Sequence, residues 1–141
     1  MLQNNEWTTM SQLLCTDAQG QCNQFDYTME AGTDKWWFRV RPAGAPTGSD
    51  FFELTVEAID AENVRVIMMN NNGFAPVKAK GIPDALIPVI RQVVGRSVQS
   101  SPRAGSSLDV RREPPADKVW ERLVAANLAR YDEVADVYHL L

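Results

Sequence analysis

The chain is poor in the side chains that most metal sites and nucleophilic active sites need. Its 141 residues contain one histidine, His139, and two cysteines, Cys15 and Cys22. Structural zinc requires about four ligands at set spacings, so no metal site is expected. A Ser-His-Asp or Cys-His set built on a histidine next to the terminus is equally unpromising. The two cysteines have six residues between them, and without an export signal both read as free thiols. No apolar run approaches the ~20 residues of a membrane span. Met1 to Glu6 has no basic cluster and no apolar block behind it, so the start does not read as a secretory signal and a cytoplasmic protein is expected.

What is present is ordinary globular composition, 45% apolar and 23% charged, enough to bury a core in one domain spanning 1–141. The net charge of −4 conceals an asymmetry. Residues 1–70 carry four basic against ten acidic side chains, whereas residues 78–112 carry seven basic against two acidic. A local positive field in an acidic chain points to an anionic ligand near the second region, although a solvated basic face would give the same count.

Periodicity divides the chain into a weakly patterned part, 1–35, and a clearly patterned one, 36–141. Trp7, Met10, Leu13 and Leu14 fall at helical spacing, predicting a short helix near Thr8–Cys15, and Phe25 to Met29 alternates as a first strand. Trp36, Phe38 and Val40 alternate with Trp37, Arg39 and Arg41; Phe52, Leu54, Val56 and Ala58 alternate with Glu53, Thr55 and Glu57. Val64 to Met69 is apolar except for Arg65, as in a strand buried on both faces. These pieces predict an antiparallel meander.

After Gly73 the period becomes helical. Ile82, Leu86, Val89, Ile90 and Val93 mark one face of a helix from about Pro83 to Val94, with a kink or an irregular first turn expected before Pro88, and Gly95 stands where a C-terminal glycine belongs. A short strand at Ser97–Ser100, a Ser-, Gly- and Arg-containing loop to Pro115, a helix over about Pro114–Leu128 and two terminal strands complete the order. The expected class is α+β: a twisted, mostly antiparallel sheet with one helix on each face.

Two short motifs lie inside this order. Lys78-Ala79-Lys80-Gly81-Ile82-Pro83 opens the first helix; helix N-terminal N–H groups in a Gly-containing turn attract anions, and Lys78 and Lys80 add full charges. Ala116-Asp117-Lys118-Val119-Trp120 begins the second. With the order of elements over 36–141, they resemble the GNAT superfamily, the acyl-CoA-dependent N-acetyltransferases. In that family a Gln/Arg-x-x-Gly-x-Gly/Ala turn holds the CoA pyrophosphate, and the later helix carries Ala-x-x-x-Tyr. The resemblance implies an acyl-CoA N-acyltransferase-like fold and acetyl-CoA or another acyl-CoA as cofactor. It assigns binding to Lys78, Lys80, Gly81 and Ile82, and it implies transfer to a small-molecule or protein amine.

The chain departs from the pattern twice. Pro83 deletes one N–H from the cradle, and Trp120 stands where the acid tyrosine would be; an indole cannot protonate a thiolate. Glu53 and Glu57, on one face of a central strand, are the candidate bases, although carboxylates on a strand face more often only solubilise. The alternative is a non-catalytic binding or structural protein, for example a component of a phage or other assembly, with protein partners. Arg103, Arg111 and Arg112 could contact phosphate and Trp36 or Trp37 could stack on a base, but a pI near 4.9 argues against nucleic acid.

Overall fold

The computed structural model describes residues 10–46, 48–103 and 114–141. Trp7 and Thr8 of the predicted first helix, and Arg111 and Arg112 of the basic loop, lie outside the described residues. Eight strands form a single sheet in the order β1-β2-β3-β4-β5-β6-β8-β7. They are β1 (Ser11–Thr16), β2 (Cys22–Ala31), β3 (Lys35–Pro42), β4 (Phe52–Ala58), β5 (Asn63–Asn70), β6 (Ser97–Ser100), β7 (Ala129–Asp132) and β8 (Val137–Leu140). Helix α1 (Ile82–Val94) links β5 to β6, and α2 (Pro114–Ala125) links β6 to β7.

The first five strands are a continuous antiparallel meander, built from the alternation that residues 22–70 carry. Residue pairs in register share a side of the sheet. Leu13, Phe25, Val40, Phe38, Leu54 and Val56 therefore point to one side, where they join Val64, Val66 and Val98 in the core. The other side carries charge. Arg39 and Glu53 face each other there at 3.0 Å, and Arg65 faces Glu57 at 3.3 Å.

Both helices cover the apolar side. Leu86, Ile87 and Ile90 of α1 are fully buried in the same cluster as Leu13, Cys15 and Val98. Trp120 of α2, 1% exposed, stacks on Tyr138 of β8. Asp84 and Arg122 tie the two helices together through bonds of 2.7 and 2.9 Å.

The expected helix-flanked α+β arrangement, and the acetyltransferase-like fold with it, is therefore overturned. Among the described residues, strand accounts for 42% and helix for 22%, in a mostly antiparallel sheet with two α-helices. The helix from Pro114 is not on the opposite face. The cause is visible in the strands: their second side alternates in polar and charged residues, which need no cover. The stretch Val64 to Met69 is accordingly buried on one side only, with Arg65, Ile67, Met68 and Met69 half-buried.

Three further expectations are corrected. Residues 11–16 form an edge strand rather than a helix, because Leu13 and Cys15 reach the core as alternate residues while Leu14 stays outside. Helix α1 spans Ile82–Val94 with Pro88 inside it, and Val93, on the face expected to be buried, is 40% exposed. The helix, expected from its apolar face to lie against the strands at 52–58 and 64–68, packs mainly beside β1, β6 and α2.

Gly81, at φ +78°, starts α1 in a left-handed conformation, and a Cβ there would overlap the Thr16 carbonyl oxygen of β1. Gly95 ends the helix at φ +75° with open space around it. Gly95→Ala should thus cost only the backbone term, about 1 kcal/mol. Gly81→Ala should cost at least about 2 kcal/mol, because α1 must also move off β1. Urea unfolding of the two variants beside the parent measures the difference.

Candidate functional site

Strands β5 and β6 are the parallel neighbours of the sheet, paired from Asn63–Ser97 to Val66–Ser100. There the ladder stops. Opposite Thr55 and Val56 the register of β5 shifts by one residue, leaving Ile67 as a bulge, and the chain leaves β6 at Ser101. Between the two diverging ends lies a cleft of about 460 Å³. Its base is Val66, Ile67, Met68 and Met69, with Phe52 from β4 beside them. Pro83 from α1 closes one side; Ala116, Val119 and Trp120 from α2 close another.

The position has a physical logic. Each crossover helix starts near the carboxyl end of the strand before it, so parallel strands bring helix N-termini together at one crevice. Both helices begin at this cleft. The orphan donors of α1 come from Gly81, Ile82 and Asp84, since Pro83 has no N–H. Lys78 is exposed and Lys80 half-buried on the turn leading into that end. The turn owes its shape to Ala79 at φ 57° and Gly81 at φ 78°. Lys78, Lys80, Gly81 and Ile82 thus lead into and begin α1, but none of the four lines the cleft; at this end of the helix the cleft wall is Pro83.

The cleft wall is mainly apolar, and its hydroxyls are engaged internally. Ser101 donates to the Val66 carbonyl at 2.7 Å, bridging β5 to the chain beyond β6 where a ladder bond would otherwise fall. Ser100 accepts the Tyr138 N–H at 2.9 Å. Glu53 and Glu57 are elsewhere. Both lie on the uncovered side of β4, each against an arginine, and neither lines the cleft. His139 is on that uncovered side too; burial and the Arg130 charge hold its pKa below the ordinary value, so it is neutral near pH 7.

Other charged residues cluster nearer the helix ends. Asp84 sits in the first turn of α1, with the Arg122 guanidinium locked on its carboxylate; that bond raises the Arg122 pKa. Asp117, in the first turn of α2 and 9% exposed, holds Arg103 at 3.0 Å. Cys15 is fully buried under α1, and desolvation together with the Asp84 charge pushes its thiol to about 12. Among the described residues there is no group of three His, Cys, Asp or Glu placed to hold a metal, and no helix is long and apolar enough to cross a membrane. No family model, curated protein or solved structure matches the chain.

The two thiols therefore differ in chemistry. Iodoacetamide at pH 8 should alkylate the exposed Cys22 and leave Cys15 intact until the protein is unfolded, as mass spectrometry of the peptides would show. Because the folded pKa of Cys15 is raised, its contribution to stability is whole below the unfolded value near 9 and is lost as pH climbs towards 12. Loss of stability on alkalinisation should consequently be smaller in Cys15→Ala.

Proposed function

We propose that the chain binds an acyl thioester of CoA and transfers its acyl group to an amine. The observation that carries this reading is the apolar cleft between β5 and β6, whose wall includes Pro83 in the first turn of α1, a few residues after Lys78 and Lys80. An acyl-pantetheine arm is narrow, carries two amides between short methylene segments, and leads to a pyrophosphate. The arm suits a crevice of about 460 Å³ between strand ends. The pyrophosphate suits the N–H groups of Gly81 and Ile82 with Lys78 and Lys80 around them. In the transfer step the amine nitrogen attacks the thioester carbonyl, the C–S bond breaks, and the thiolate leaves with the CoA. The amine proton passes to solvent, since no carboxylate or imidazole lines the cleft among the described residues.

That same observation favours a second reading, a non-catalytic protein that holds the ligand and presents it to protein partners. A positioned acid or base is typically worth ~10²–10⁴-fold in rate. An enzyme without one is slow, and a binder has no rate at all.

Two measurements test these readings. Calorimetry with acetyl-CoA should show binding that weakens in Lys78→Ala and in Lys80→Ala. It should strengthen by about 1 kcal/mol in Pro83→Ala, which restores one donor to the cradle. Absence of binding to parent and Pro83→Ala alike defeats the ligand assignment. Release of free thiol from acetyl-CoA, followed over a panel of amines, should then exceed the protein-free rate. Binding without release selects the non-catalytic reading. Glu53→Gln and Glu57→Gln should leave both binding and release unchanged, since neither side chain reaches the cleft.

A further inference from the structure

The β5–β6 cleft is larger and more uniformly hydrocarbon than a two-carbon acyl group needs. Its volume of about 460 Å³ is that of about fifteen waters at liquid density. Phe52 of β4, Val66 and Met69 of β5, and Val119 and Trp120 of α2 all line it. None of these side chains carries a charge or a hydroxyl. All but Met69 are buried members of the core cluster, so the wall is the core itself, left open on one side.

The polar side chains on the wall are engaged within the protein. Ser101 donates to the Val66 carbonyl, Ser100 accepts the Tyr138 N–H, and the Asn71 side-chain oxygen accepts the Gly73 N–H at 2.8 Å. A ligand group that needs a hydrogen-bond partner from these side chains must break one of those bonds, whereas a hydrocarbon group breaks none. An acetyl group offers such a wall a single methyl, and an octanoyl chain offers a run of methylenes. Each buried methylene tightens binding about fourfold.

We propose that the cleft is an acyl-chain pocket, and that its chain is of medium length, hexanoyl to decanoyl, rather than acetyl. The proposal rests on the acyl-CoA reading for the thioester and names the substrate class of that same site. The upper limit comes from volume. A methylene fills roughly the space of a water, so a palmitoyl chain alone would use the whole cleft and leave no room for the arm.

Calorimetry across acetyl-, butanoyl-, hexanoyl- and octanoyl-CoA should show affinity rising about fourfold per methylene, with palmitoyl-CoA weaker than octanoyl-CoA. Ala116→Phe, at a small residue on the α2 side of the cleft, should flatten the series and weaken octanoyl-CoA by about tenfold. Met69→Ala, which widens the cleft from the β5 side, should move the tightest binder to a longer chain. In nuclear Overhauser spectra the terminal methyl of bound octanoyl-CoA should contact the Val66 and Val119 methyls. If neither any CoA species nor sodium octanoate binds, this proposal and the acyl-CoA reading fall together. Acetyl-CoA bound as tightly as octanoyl-CoA overturns this proposal alone. Sodium octanoate bound as tightly as octanoyl-CoA keeps the chain pocket and removes CoA from the site. Contact of the Val66 and Val119 methyls with residues 104–113 in the ligand-free protein overturns the pocket.

Discussion

The parallel pairing of β5 with β6 organises the whole molecule. A connection between parallel strands must leave one end of the sheet and return over a face, and in proteins it does so with a right-handed turn. Helix α1 makes that crossing. The next step, β6 through α2 to β7, again joins strands that run the same way, since β8 is antiparallel to both, and it proceeds in the same direction along the sheet. The same handedness therefore delivers α2 to the same side as α1. One sided burial, an uncovered charged face and a crevice where both helices begin all follow from this one connection.

Sequence patterning revealed what is local. The strands at 35–42, 52–58, 63–70 and 97–100 and the core of α1 lie where alternation and helical spacing put them. It misjudged what depends on the whole sheet. Which side of β4 is covered is decided by α1 and α2, so nothing near Glu53 and Glu57 could reveal that both face away from the cleft. The segment at 11–16 is short, and its Leu13-Leu14-Cys15 run fits either period. Pairing with β2 settles the choice, and that pairing is tertiary information.

The cleft was half legible. Lys78, Lys80, Gly81 and Ile82 stand together in sequence, and a Gly-containing turn before an apolar helix is a local signal. None of the four lines the cleft, however, and its wall is assembled at a distance. The Ser101–Val66 bond spans 35 residues and the Asp84–Arg122 pair spans 38. Neither has a composition cue, because one serine or one arginine among several carries no address. Pro88 is a local signal against a helix interior, yet α1 continues through it, held by buried Leu86, Ile87 and Ile90 on both sides.

The cleft also bears on the volume of the folded state. Its walls, Phe52, Val66, Val119 and Trp120, are members of the central core cluster, so the space between β5 and β6 is continuous with the packed interior. Only packing voids that water cannot enter disappear on unfolding and so respond to hydrostatic pressure, and the solvent-open part of the cleft is not one of them. The Ser101 hydroxyl, braced against Val66, sets how far the two strands can close when nothing lies between them.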